Sequence, residues 1–309
     1  MTSATGRDAA SQSETRTQRL ADMPFLPAGP RAGFVRGTLQ SLRDIWGYRE
    51  LLSLLVRREL KARYKDSALG FFWSLMRPLA QLLIYYIALG KFLGAERSIP
   101  DYAIFVFTGL TAWQLFSEIV AAGTGSIVAN GGLVKKIYLP REVFPLSVVG
   151  SALFNFAIQI VILVIATFAV GAPPSGTSLL YFPLGALVLL IYSMALAFLL
   201  SALNVYLRDI QYLVEIMLMV LFWTTPIVYS WEQAHAHLGN GLAGHIYDAN
   251  PLTASVLAFQ RAFWVAGHSE PGPPGLATTL GWEILVGLGL LWVCQRVFAK
   301  LQSNFAQEL

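Results

Sequence analysis

The sequence predicts an all-α membrane protein with six transmembrane helices, an N-terminal amphipathic interface helix ahead of them, and re-entrant external helices before the last span. Three observations predict it. Of 309 residues, 55% are hydrophobic and only 13% charged, with a mean hydropathy of +0.56, whereas soluble domains carry about 25% charge. Apolar runs near the roughly 20 residues that cross about 30 Å of hydrocarbon recur along the chain. The stretch Arg57 to Pro78, RRELKARYKDSALGFFWSLMRP, passes directly from a charged segment into a lipid-soluble one.

On a helical wheel Ile45, Tyr48, Leu51, Leu52, Leu55, Val56 and Leu60 share one broad face, and Arg57, Arg58, Lys61 and Lys65 fall on the other. That is the pattern of a helix lying on a membrane. Glu59 and Arg63, four apart with the acid first, are placed to pair on its surface. Residues 1–40 are polar, with Arg7, Arg16 and Arg19 and the breakers Pro24, Pro27 and Pro30, and read as a disordered cytoplasmic tail. The interface helix occupies 41–66, the transmembrane domain 67–300 and a cytoplasmic C-terminal tail 301–309.

The first span runs from about Ala68 to Leu93 and the second from about Tyr102 to Val128. LVKKIYLPREVFP, basic and flanked by proline, offers a helical turn or two between spans. From Glu142 to Arg208 there is no charged residue in between, and the breaker GAPPSGT divides this run into two spans joined by a tight hairpin. Arg208 and Asp209 then restore charge. A fifth span, about Val214 to Tyr229, contains Pro226, which lacks a donor and kinks or ends the helix. The segment Pro251 to Val265 is too short to cross and reads as dipping in and returning. The sixth span covers about Leu276 to Val293. With both ends placed in the cytoplasm, only Lys91, Arg97 and Arg261 among the basic residues fall outside, as the positive-inside rule requires.

Chemistry-bearing motifs are few. None of Lys61, Lys65, Lys91, Lys135, Lys136 and Lys300 is followed by Ser or Thr, so there is no phosphate loop, and HExxH, GxSxG and CxxC are missing too. The chain therefore has no recognisable hydrolytic or redox constellation and no cofactor motif, and cannot energise ATP-driven transport alone. A net charge of +4 spread along the chain fits membrane topology rather than nucleic acid. The single cysteine, Cys294, has no intrachain partner. His235, His237, His245 and His268, near Asp248 and Glu270, offer metal-ligand types or a hydrated external cap, and the cap reading assigns them no metal. Glu118, Glu215 and Glu283 sit in or beside spans. They read either as a proton relay or as groups facing a watery lumen, headgroups or the outer surface. Trp73, Tyr85, Tyr86, Trp113, Phe116, Trp223 and Tyr229 suit interfacial belts; aromatic faces inside a conduit would equally stack on sugar rings.

Four blocks carry a resemblance: KARYKDSALGFFWSLMRPL, LPREVFPLSVVGSALFNF, LNVYLRDIQYLVEIMLMVLFWTTPIVYS and NPLTASVLAFQRAFW. In order, they resemble the type-2 ABC exporter permeases that move lipid-linked polysaccharide, over about Asp44 to Lys300. The resemblance implies a homodimer in the bacterial inner membrane with two cytoplasmic ATP-binding cassette subunits that use ATP and Mg. The cargo it implies is an O-antigen, teichoic acid, capsule or galactan type of glycan on a lipid anchor. By position, Asn130 to Pro140 would be the coupling helix, anchored on the ATPase by Lys135 and Lys136, with Leu133, Ile137 and Tyr138 filling a cleft. Arg57, Arg58 and Lys61 would make a second ATPase contact, and Arg208 with Asp209 the lesser loop. First and fifth spans would line the conduit through Trp73, Arg77, Tyr85, Tyr86, Trp223 and Tyr229, with Arg77 meeting a lipid phosphate. Permeases for drugs or other lipids share the architecture, and the acidic residues leave an ion-coupled transporter as a further reading. Sixteen arginines against six lysines lean toward a GC-rich genome and a galactan or O-antigen-like cargo.

Overall fold

The computed structural model describes residues 41, 43–64, 72–136, 139–239, 241–269 and 272–309. The tail 1–40, Lys65, Ile137, Tyr138 and Glu270 lie outside the described residues, as do the side chains of Trp73 and Arg77. In order come α1 (Arg49–Tyr64), α2 (Phe72–Tyr85, continued as a π-helix over Tyr86–Phe92), α3 (Tyr102–Ala129), α4 (Gly131–Lys136), α5 (Val143–Ala169) and α6 (Tyr181–Tyr206). Then follow α7 (Ile210–Trp223), α8 (Trp231–Leu238), α9 (Leu242–Asp248), α10 (Pro251–Phe263), α11 (Leu276–Leu301) and α12 (Phe305–Glu308). No strand occurs among the described residues.

Among the described residues four helices, α3, α5, α6 and α11, are long and apolar enough to cross a membrane. The expected first and fifth spans are shorter as helices. α7 has 14 residues, a rise of about 21 Å. It stops at Trp223 because Pro226 disfavours helical backbone just ahead of it. Carbonyls of the non-helical stretch that follows are covered: Tyr102 Oη donates to Val228 at 2.8 Å and Gln260 Nε2 to Pro226 at 2.8 Å. Buried non-helical backbone survives only with such partners.

α3 is the axis, buried on nearly every side. Thr108, Thr111 and Thr124 return their hydroxyls to carbonyls one turn back, so these polar groups enter the core already satisfied. Gly123 lets α6 approach: a Cβ there would meet Ala197 Cβ at 2.7 Å. Asn204 of α6 and Gln211 of α7 donate to the carbonyls of Thr124 and Ala121 on α3. The short apolar segment after Asn250 becomes α10, capped by the Asn250 side chain and started by Pro251. Phe259 and Phe263 of α10 pack edge-on against Phe182.

α1 lies on α5. Val56 fills the space at Gly150, where a Cβ would meet Val56 Cγ2 at 2.6 Å, and Leu55 is buried. Glu59 and Arg63 take other partners than each other. Glu59 accepts from Ser147 at 2.8 Å and Ser151 at 3.0 Å, and Arg63 pairs with Glu118 of α3. Residues beyond Leu301, read from sequence as a tail, form a 3-10 turn and α12, with Phe305 buried.

Candidate substrate cavity and coupling surface

A cavity of about 970 Å³ lies among α1, α2, α3, α5 and α7. Its aromatic side is built from Tyr85, Trp113, Phe222 and Trp223. Tyr85 stacks on Phe222 at 5.7 Å, Trp113 meets Phe222 edge-on at 5.5 Å, and Phe222 meets Trp223 at 5.4 Å. Each ring is thus oriented by its neighbour's quadrupole. The polar side carries Gln81, Gln114, Asn155 and Gln159 with the Arg63–Glu118 pair. Glu118 Oε1 accepts from Arg63 at 2.5 Å and from Asn155 Nδ2 at 2.7 Å. Amide donors and acceptors facing a stacked aromatic wall can hold a polyhydroxylated ring without a strong charge.

Of the residues read from sequence as lining a conduit, Tyr85 and Trp223 border this cavity within one chain. Tyr86 and Tyr229 lie elsewhere. Lys91 sits over the Tyr86 ring at 5.4 Å, and Tyr229 donates to the Trp223 carbonyl and borders a separate, mainly apolar groove with Tyr247 and Ile246. Tyr86 follows Tyr85 by one helical position, which turns it about 100° away, and Tyr229 lies in non-helical chain beyond the end of α7 at Trp223. Gln81, Gln114, Asn155, Gln159 and Phe222 were missed as site residues. Their signal was present: amide side chains are costly inside apolar runs unless they face a cavity or each other.

The other two acids are placed differently. Glu283 of α11 accepts from Tyr192 Oη of α6 at 2.5 Å, one turn from Gly287, whose bare Cα makes room for the Tyr192 ring. Glu215 is exposed on α7.

At the α4 end, Lys135 and Lys136 are exposed, Val134 is buried, and Leu133 is half-buried against the chain's own core. Arg57 and Lys61 are exposed on α1. Arg58 is engaged within the chain, donating to Asn130 Oδ1 at 2.5 Å, while the Asn130 carbonyl accepts from Leu133 and Val134 to start α4. Arg208 and Asp209 form an exposed turn between α6 and α7. Glu142, just ahead of α5, is buried, and that burial pushes its carboxyl above its ordinary value against the opposing pull of Gln302 and Arg296.

At the opposite end α8 opens with a capping box between Ser230 and Gln233. His235 stacks on Trp231 at 4.6 Å, and Trp231 Nε1 donates to Asp248 at 2.8 Å. His268 and Arg261 bond each other's backbone carbonyls. Among the described residues no three His, Cys, Asp or Glu side chains converge as a metal site would need.

Residues 50–264, which run from α1 through the residue after α10, match the ABC-2 type transporter family. The chain belongs to that family. It is 31% identical to the O-antigen export system permease protein RfbA of Myxococcus xanthus over 88% of this chain and 100% of that one. It is 30% identical to the protein of the same name from Klebsiella pneumoniae, over 84% and 95%. The polysialic acid transport protein KpsM of Escherichia coli is 26% identical over 57% and 68%. In this ABC-2 type transporter the matched region contains the whole cavity, α4 and the Arg208–Asp209 turn, and α11 lies beyond it.

Proposed function

We propose that this chain is the membrane permease of an ATP-driven exporter that carries a lipid-linked polysaccharide, of the O-antigen or cell-wall galactan type, across the bacterial inner membrane. The observation that carries the reading is the cavity: stacked aromatics opposite side-chain amides, inside an apolar bundle whose relatives bear the names of O-antigen export permeases. The aromatic faces suit the C–H surfaces of sugar rings, and the amides exchange hydrogen bonds with their hydroxyls as the polymer slides.

In this reading α2 and α7 complete six crossings with both ends in the cytoplasm, α1 lies on the inner surface, and α8 to α10 cap the outer face. Two copies face each other. Support comes from α7, which leaves Tyr212, Leu213, Ile216, Met219, Val220 and Trp223 exposed, a broad apolar surface for a second copy to cover. Two ATP-binding cassette subunits sit beneath and use ATP and Mg, since this chain has no phosphate loop. They push through α4, with Lys135 and Lys136 as anchors, Ile137 and Tyr138 as the cleft-filling residues and Arg57 and Lys61 as a second contact, while Leu133 packs on the chain's own core instead. Arg208 and Asp209 form the lesser contact, and Trp73 and Arg77 join Tyr85 and Trp223 along the path. The test is copurification with the ATPase encoded beside it, followed by depletion of this chain. A lipid-linked glycan should accumulate on the inner side. Normal surface glycan after depletion, or transport by the purified chain without any ATPase, would overturn the reading.

A further inference from the structure

The chain does not leave the bundle after α11. Phe305 is 0% exposed, edge-on to Phe298 at 5.6 Å and to Tyr206 at 6.2 Å, with the Arg141 guanidinium 5.7 Å from its ring centre. Gln302 Nε2 donates to Glu142 at 3.3 Å, and Tyr206 Oη donates to the Leu301 carbonyl at 2.8 Å. The Leu309 side chain covers Gly131, the first residue of α4: a Cβ at Gly131 would lie 3.9 Å from Leu309 Cβ. One short segment therefore touches the start of α4, the far end of the α4–α5 loop, and the last residue of α6 before the Arg208–Asp209 turn.

We propose that Gln302–Leu309 is a strut that backs α4 against both of these loops, so that a push on α4 moves α5, α6 and α11 as one body. The proposal rests on the reading of α4 as the coupling helix. A six-residue helix is too short to hold its own shape under load. Its other described supports include Val134 in the core, Leu133 packed against the same cluster and the Arg58–Asn130 bond. Without the strut, force on Lys135 and Lys136 would unwind α4 rather than reach α5 and α11. Phe305 supplies the backing because a close-packed aromatic neither shifts nor compresses. A merely solvated tail has no reason to bury Phe305 or to lay Leu309 on Gly131.

The test uses the complete exporter, this chain with its ATPase, in inverted membrane vesicles. Phe305→Ala and deletion of residues 305–309 should still copurify with the ATPase and hydrolyse ATP, while export falls at least tenfold; Phe305→Leu should restore most of it. In a Cys294→Ala background, Gly131→Cys with Leu309→Cys has a Cβ separation suited to a disulfide. Oxidation should form it, and the oxidised and reduced forms of this variant should export equally, because the strut and α4 travel together. Wild-type export by the deletion overturns the proposal, as does an oxidised form that is inactive while its reduced form exports. Loss of copurification in both Phe305→Ala and Phe305→Leu overturns it too, since the segment would then serve assembly. The coupling reading fails separately: Lys135→Glu with Lys136→Glu would leave ATP use and export coupled.

Discussion

Arg63 on α1 and Glu118 on α3 stand 55 positions apart in sequence and 2.5 Å apart in space. The pair ties α1 to α3 at the rim of the cavity. It is unequal, because the Arg63 side chain is 42% exposed and that of Glu118 only 11%. Removing Arg63 leaves a mostly buried carboxylate with Asn155, whereas removing Glu118 leaves a guanidinium that can turn to water. Arg63→Ala should therefore destabilise the detergent-solubilised protein by about 1–3 kcal/mol, and Glu118→Gln by less than about 1 kcal/mol. Thermal unfolding of both variants checks the order, and equal losses would contradict it.

The aromatic wall separates folding from transport. Trp223 is 54% exposed and Phe222 only 8%. Phe222→Ala should cost about 3–5 kcal/mol of stability and reduce export with it. Trp223→Ala should leave the unfolding midpoint near that of the wild type while export drops roughly tenfold, the equivalent of about 1.4 kcal/mol of lost stacking. Export assays paired with unfolding curves decide it.

Lys135 and Lys136 are exposed at the end of α4, so reversing their charge disturbs little inside the chain. Lys135→Glu with Lys136→Glu should insert and fold normally, measured by membrane fractionation and unfolding midpoint, yet abolish export and the coupling of ATP hydrolysis to it. Unchanged export would remove these lysines from the ATPase contact.

Gly150 receives Val56 so closely that a side chain there must shift the Val56 side chain of α1. Gly150→Leu should overpack this contact at a cost of about 1–3 kcal/mol, and protease should cleave near Tyr64 faster than in wild type. The paired Ser147→Ala and Ser151→Ala change should produce the same sensitivity by leaving Glu59 without its two donors.

Burial raises the Glu142 carboxyl above its ordinary 4.5. The folded protein thus holds this proton more tightly than the unfolded chain. Stability from the group is full below the ordinary value and is lost as pH rises through the raised one. Glu142→Gln keeps an acceptor for Gln302 and removes that loss. Its unfolding midpoint should exceed that of wild type at about pH 8 and match it at about pH 4.

Much of this was legible in sequence because hydropathy is a local property. Apolar runs marked α3, α5, α6 and α11, the two-sided wheel marked α1, and Pro226 marked where α7 ends. Lys135, Lys136, Arg208 and Asp209 were found as exposed loop charges for the same reason. Which side chains meet depends instead on how each helix is rotated and how closely it approaches its neighbour. A single sequence does not state that. Glu59 and Arg63 satisfy the spacing rule for a mutual pair, yet Ser147, Ser151 and Glu118 claim them, because partners fixed by packing on α3 and α5 outcompete a solvent-exposed pair. Tyr86 and Tyr229 carry the same chemistry as Tyr85 but face other neighbours. The sequence alone determined a charged helix leading into an apolar helical bundle with no fuel-burning motif. Only the tertiary structure decided that amides from three helices share one cavity and that Phe305 folds back under α4, because these contacts close loops whose ends the local pattern cannot pair.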